Sequence, residues 1–173
     1  MKIENNTGYQ SAVTNTGDWS AATNTGDQSA ATNTGNRSAA TNTGDLSTAT
    51  NTGNRSAATS TGNQSAATST GNQSAATNTG DLSTATNMGD WSAATNTGDW
   101  SAAIVGGKES AAIALGIEGR AKGALGCWIV LAEWENLEDG WHRKDVKCFF
   151  VDGEIVKANT FYSLKDGELV NEE

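Results

Sequence analysis

The chain has 173 residues, with 11 Lys+Arg against 20 Asp+Glu, a net charge of -9, 20 Gly, no Pro, two Cys and one His. So acidic a chain without a basic stripe lacks the electrostatic footprint that phosphate backbones require, which argues against nucleic-acid binding. No apolar run approaches the roughly 20 residues of a membrane span, the opening MKIENN has no apolar signal-peptide core, and two Cys with one His suit neither a disulfide framework nor a usual zinc site.

Leu, Ile, Val and Phe supply only 24 of the 173 residues, and just Ile3, Val13, Leu46 and Leu82 precede position 104. Composition alone would place such a chain among disordered linkers. Periodicity reverses that reading. From Asn6 to Lys122 the sequence repeats every nine residues as N-T-G-D/N-x-S-A-A-T, 13 times, the last degenerate. Glycine returns from Gly8 to Gly116 and serine from Ser11 to Ser110 without loss of phase. Disordered tracts keep composition but not phase, so stacked units are expected.

Each unit reads as a short strand, S-A-A-T-N-T, followed by a turn. Glycine is expected to supply positive φ there, and the Asp or Asn after it to cap its own backbone. Nine residues cannot close a coil. Two repeats, 18 residues, give two strands and two turns, so the fold expected is an all-β parallel two-sheet solenoid. Six to seven coils at about 4.8 Å per rung make a rod roughly 30 Å long. Right-handed and left-handed winding are both compatible with the pattern.

Strand alternation gives each unit two faces, for example Ser20, Ala22 and Asn24 against Ala21, Thr23 and Thr25. The slot of Ala22 is never polar, which places Ser, Ala and Asn inside, their polar groups bonding along the stack. Met88, Ile104, Ile113 and Leu115 occupy Thr-face slots, which favours the opposite assignment, or a patch covered by the carboxy-terminal segment. The sequence leaves these alternatives open.

If the second face points outward, it carries T-x-T pairs in register: Thr14/Thr16, Thr23/Thr25, Thr32/Thr34, Thr41/Thr43, Thr50/Thr52, Thr59/Thr61, Thr68/Thr70, Thr77/Thr79 and Thr95/Thr97. Spacings of about 7 Å along a strand and about 4.8 Å between rungs approach those of an ice face. These ladders resemble those of insect antifreeze solenoids, and the Gly and S-x-x-T phasing is similar to bacterial ice-nucleation repeats, which implies ice binding. Thr also simply favours half-buried strand positions.

The variable slot before each Ser holds Trp19, Leu46, Leu82, Trp91 and Trp100 beside Arg37, Arg55 and several Gln. Large apolar side chains there are candidate interface anchors, for a second copy of the chain, another protein, a glycan or ice. The alternative is that they lie flat over neighbouring turns. Alternate repeats fall on opposite edges, so Trp19 and Trp91 share one edge and Leu46, Leu82 and Trp100 the other. Asp18, Asp27, Asp45, Asp81, Asp90 and Asp99 invite comparison with calcium ladders, but the G-G-x-G-x-D signature is absent and turn capping explains them better. No metal or other cofactor is expected. Asn5, Asn36, Asn54, Asn63 and Asn72 stand in N-x-S/T sequons, which matter only in a secretory setting.

Composition changes after Lys122, which divides the chain into a solenoid over 1–122 and a β-rich cap over 123–173. Cys127–Trp134 and Asp145–Val151 read as strands, and Asp152-Gly153 and Asp166-Gly167 as hairpin turns. About four antiparallel strands are expected to pack on the last coil and close its open end. Catalysis finds little footing, and the chain reads as a non-enzyme. His142 sits in an exposed-looking W-H-R-K stretch. Cys127 and Cys148 lie in apolar strands and read as buried structural thiols. Glu133/Glu135 and Glu138/Asp139 read as solvated strand end and turn rather than acid/base pairs.

The stretch from Gly107 through S-A-A-I-A-L-G-I-E-G-R-A-K-G-A-L-G to Trp134 resembles the junction in N-T-G-x-x-S-A-A repeat proteins of gut bacteria and their phages. The S-A-A-I-A-L-G element is similar to S-V-A-I-G repeats in the heads of trimeric autotransporter adhesins, although nine residues is shorter than that family's period. The first resemblance, to proteins without a characterised function, implies a bacterial or phage origin, and the second implies trimerisation and adhesion; the chain reads as a rigid spacer or binding surface in a structural, adhesive or phage-associated module. Ile117–Arg120 matches a laboratory protease site but keeps the repeat phase, and reads as native.

Overall fold

A computed structural model describes residues 2–172. Fourteen four-residue strands follow one another at the repeat spacing. The first seven are β1 (Ile3–Asn6), β2 (Ala12–Asn15), β3 (Ala21–Asn24), β4 (Ala30–Asn33), β5 (Ala39–Asn42), β6 (Thr48–Asn51) and β7 (Ala57–Ser60). Then come β8 (Ala66–Ser69), β9 (Ala75–Asn78), β10 (Thr84–Asn87), β11 (Ala93–Asn96), β12 (Ala102–Val105), β13 (Ala111–Ala114) and β14 (Arg120–Gly123). Odd strands stack in one parallel sheet and even strands in a second. Partners are 18 residues apart, as Ala21↔Ala39 and Thr32↔Thr50 show. Two nonapeptides therefore make one coil, and seven coils rise about 34 Å at about 4.8 Å each.

The inward face is Ser, Ala, Asn. Ala22, Ala40, Ala58, Ala76 and Ala94 are wholly buried, as are Asn24 and Asn42, while Ser20 keeps 4% of its surface. An interior of methyl groups offers little hydrophobic stabilisation, about 0.8 kcal/mol per buried carbon. Hydrogen bonds must do the rest, because a buried polar group left alone costs about 1–3 kcal/mol. Each Asn joins the two sheets. Asn33 on β4 donates through Nδ2 to the carbonyls of Ser20 and Ala39 (both 3.3 Å), and its Oδ1 accepts the Gly35 amide at 2.8 Å. Each Ser joins successive coils: the Ser38 amide donates to Ser56 Oγ at 3.0 Å, and that hydroxyl lies 3.3 Å from the Gly35 carbonyl and 3.0 Å from that of Asn54.

The turn departs from the sequence-based expectation in two respects. Positive φ falls not on the repeat glycines but on the variable residue, from Gln10 to Glu118, with φ between 50° and 57°. Glycine is required for space instead: a methyl group on Gly53 would sit on the carbonyl oxygen of Gly35 in the coil beneath. Nor does the Asp or Asn side chain cap its own turn. Its Oδ1 accepts the backbone amide of the same slot one coil on, as Asn36 N to Asp18 (2.7 Å) and Asn54 N to Asn36 (2.9 Å). Asn serves this bond as well as Asp, which is why the slot tolerates both.

Parallel stacking continues past residue 122. The first residues of β15 (Trp128–Leu137) pair in parallel with β13, Ala111↔Trp128 to Ala114↔Leu131. Antiparallel pairing begins with β16 (Gly140–Phe150) on β15, joined by a turn at Glu138 and Asp139. The other sheet ends with β17 (Phe161–Lys165) antiparallel to β14 and β18 (Glu168–Glu172) antiparallel to β17. Asp166-Gly167 is the expected two-residue turn. Asp152-Gly153 is not a hairpin: Asp152 Oδ1 gathers the amides of Glu154, Ile155 and Val156 at 2.8–3.0 Å and shapes the connection from β16 to β17. Here the chain has a conventional core, of Val105, Ile129, Leu131, Val151, Tyr162 and Leu164.

Candidate functional site

Two kinds of surface are built by the repeat. The first is the outward face of each sheet. On the odd strands, Thr23, Thr41, Thr59, Thr77 and Thr95 form one half-buried column, and Thr25, Thr43, Thr61, Thr79 and Thr97 an exposed one beside it. Both columns run unbroken over five rungs before Ile113 and Leu115 replace them. On the even strands, Thr14, Thr32, Thr50 and Thr68 continue to Thr86 and then Ile104, while Thr16, Thr34, Thr52 and Thr70 give way to Met88. The odd sheet thus carries the more regular array. Met88, Ile104, Ile113 and Leu115 all point outward, and Trp134 Nε1 reaches the Leu115 carbonyl at 3.1 Å.

The second surface is the pair of edges made by the turns. One edge holds Trp19, Arg37, Arg55, Gln73, Trp91 and Glu109 in successive coils; the other holds Gln28, Leu46, Gln64, Leu82, Trp100 and Glu118. The left-handed backbone conformation drives these side chains away from the core, so Trp19 is 60% and Trp91 59% exposed. Leu46, Leu82 and Trp100 are exposed as well. On the first edge the side chains engage one another along the rod. The Arg37 guanidinium lies 4.8 Å from the Trp19 ring centre, Arg55 Nε donates to Gln73 (2.8 Å), and Trp91 Nε1 donates to Glu109 (3.1 Å). This ridge and the outward alanines of the odd strands bound an open groove of about 870 Å³, floored by Ala21, Ala39, Ala57, Ala75 and Ala93. The groove was not anticipated from the sequence, though alanine at the first strand position of every odd repeat was its signal; Thr48 and Thr84 interrupt the equivalent row on the even side.

No protein-family model matches this chain, and no curated protein or solved structure matches it significantly.

The remaining candidate groups fall outside these surfaces. Cys127 is buried, its thiol 2.9 Å from the Gly107 carbonyl, whereas Cys148 is exposed, contrary to expectation, because its side chain points off the outer face of β16. His142 is exposed and pairs with Asp139 at 2.8 Å. Glu133 is not a solvated strand end: it is 6% exposed, accepts Lys144 Nζ at 2.6 Å, and holds the amides of Asp166 (3.1 Å) and Gly167 (2.7 Å). The Lys144 bond and then that from Gly167 hold its carboxyl below the usual range, outweighing the effect of burial. That arrangement fixes the β17–β18 turn against β15. Among the described residues no three His, Cys, Asp or Glu side chains converge as a metal would need, and no helix is long and apolar enough to cross a membrane.

Proposed function

We propose that the protein is a rigid, non-enzymatic module that sets a distance and displays a regular surface, in the manner of a bacterial or phage-associated spacer or adhesive element. The observation that supports this reading is the 18-residue register from β1 to β14, held by backbone pairing and by Asn, Ser and Asp/Asn ladders that end at Asn96, Ser110 and Asp99 respectively. Those bonds commit the interior polar groups to stiffness, and leave Thr rows and edge residues for display. Small-angle scattering tests it. The folded chain should give a radius of gyration near the roughly 16 Å of a compact chain of this length, lengthened by the rod, against about 44 Å for an unfolded one. Deletion of residues 39–56, two whole repeats, should shorten the rod by about 4.8 Å. A coil-like curve would end the proposal.

A second reading, ice binding, rests on the odd-strand Thr columns, five rungs deep and facing outward. Hydroxyls and methyls at about 7 Å by about 4.8 Å offer a template for ordered water. Thermal hysteresis and crystal shaping decide it. Thr41→Tyr and Thr59→Tyr on the odd sheet should abolish the effect, while Thr50→Tyr on the even sheet should reduce it less. Unaltered ice growth with the unmodified chain removes this reading and leaves the spacer intact.

A further inference from the structure

The edge that carries Trp19 and Trp91 is complementary to itself when reversed. Its charges, read from the first coil to the sixth, are Asp18, Arg37, Arg55, none at Gln73, Asp90, and the pair Lys108 and Glu109. A two-fold axis placed between the coils of Arg55 and Gln73, along the sheet normal, sets the first coil of one copy against the sixth of the other, the second against the fifth, and the third against the fourth. Asp18 then faces Lys108, Arg37 faces Asp90 and Trp91, and Arg55 faces the neutral Gln73. No like charges meet without a compensating partner.

Several other arrangements fail on the same residues. A two-fold parallel to the rod would set Asp18, Arg37, Arg55 and Asp90 each against its own copy. An axis moved half a coil, through Arg55, would oppose the two Arg55 side chains and bring Asp18 to Asp90. The opposite edge has Asp27, Asp45, Asp81, Asp99 and Glu118 with no basic residue in those slots, so reversal there lays acid on acid. Like charges opposed across an interface are costly, so charge selects this edge and the antiparallel sense. An axis through the coil of Gln73 would also oppose unlike charges, Arg55 to Asp90 and Arg37 to Glu109, and disulfide linkage separates that register from the one between Arg55 and Gln73.

We propose that the protein forms an antiparallel dimer with a second copy through this edge. The Arg37 guanidinium, already 4.8 Å from its own Trp19 ring, is sandwiched between that ring and Trp91 of the second copy, a cation–π arrangement strengthened by desolvation. Trp19 and Trp91 are 60% and 59% exposed in the single chain, and Trp and Arg are the residues most often found to anchor binding. The interface is isologous and closes on itself, so it yields dimers rather than fibres. It also places both odd-strand Thr faces on the same side of the assembly.

Sedimentation equilibrium of the full chain tests the proposal. A concentration-dependent monomer–dimer equilibrium is expected, weakened by salt because exposed ion pairs are screened. Arg37→Gln and Trp91→Gln, residues of a type already present at Gln28, Gln64 and Gln73, should each raise the dissociation constant at least about tenfold. Leu82→Gln and Trp100→Gln on the other edge should leave it unchanged, and circular dichroism should report the same fold for all four. The register is tested in a Cys148→Ser background. Oxidising a mixture of Arg55→Cys and Gln73→Cys chains should give the mixed disulfide in preference to either homodimer. A chain that stays monomeric, a dimer sensitive only to the Leu82 and Trp100 variants, or preferential linkage of two Gln73→Cys chains to each other would overturn it.

Discussion

Asn33 Nδ2 reaches the Ser20 carbonyl at 3.3 Å, and so ties a strand of the even sheet to the start of a strand in the odd one. The same carboxamide takes up Ala39 of the next coil and the Gly35 amide. A single interior residue per repeat thus bonds within its turn, across the sheets and up the stack. With alanine methyls and the Ser20 hydroxyl (3.2 Å) as its interior neighbours, the carboxamide is the main specific link between the two sheets.

Removing one such link should be felt globally. Asn42→Ala strips partners from the Ser29 and Thr48 carbonyls and the Gly44 amide, and should cost about 1–3 kcal/mol in urea denaturation. Asn54→Ala, which loses one exposed turn bond to the Asn72 amide, should cost less than half as much. Equal losses would show that the interior carboxamides are not what joins the sheets.

Two repeats carry a natural defect. Ser60 and Ser69 stand in the Asn slot, and their hydroxyls are buried without a partner. Restoring the consensus with Ser60→Asn or Ser69→Asn should stabilise the protein by about 1 kcal/mol each, read as a higher denaturation midpoint at constant slope. A lowered midpoint in both variants would mean that the local coil has closed around the smaller side chain.

Backbone conformation gives a third expectation. Gln64 holds φ of 53° with an exposed side chain, and the left-handed region costs an ordinary residue about 1–2 kcal/mol. Asn enters that region readily, so Gln64→Asn should raise the melting temperature. Gly53→Ala should lower it sharply or prevent folding, since its methyl group meets the Gly35 carbonyl. A harmless Gly53→Ala would refute the spacing role assigned to the repeat glycines.

Acid should act first on the cap. The carboxyls of Glu133, Asp152 and Glu172 are all held below the ordinary range, by Lys144, by the Glu154 and Val156 amides, and by the Ser163 hydroxyl respectively. The unfolded chain therefore binds protons before the native one as pH falls. The stability these groups supply is complete above the usual carboxylate values, about 4, and is lost as pH drops through their lower native values. Trp134, stacked 4.9 Å from Arg143, should report the loss by fluorescence. Glu133→Gln should be less stable at neutral pH and show a shallower acid limb; an unchanged limb would exclude Glu133 as its source.

Much of this fold was legible in the sequence because its signal is phase. Eighteen-residue coils, two sheets and alternate edges all follow from nine-residue spacing, and the never-polar slot of Ala22 pointed to the inward face. What escaped notice involves bonds between residues that are distant in sequence. The Asp18 carboxylate looked like a local cap because its true partner, the Asn36 amide, is a full coil away. Trp19 in a left-handed conformation defies its local preference and is held there by the stacked turns, with its amide bonded to the Asn36 carbonyl at 3.0 Å. Glu133 resembled a solvated residue until β17 and β18 folded over it. The self-complementary edge was present in the letters throughout, but it emerges only when every second repeat is read alone and then in reverse.

The alternation of edges gives this architecture a parity. Losing or gaining one nonamer would transfer every downstream side chain to the opposite sheet and the opposite flank, separating Trp19 from Trp91 and presenting the cap with the wrong strand. Losing or gaining two would alter the reach of the rod and leave the identity of each flank untouched. Length is thus adjustable only in even steps, and an odd step rewrites the surface.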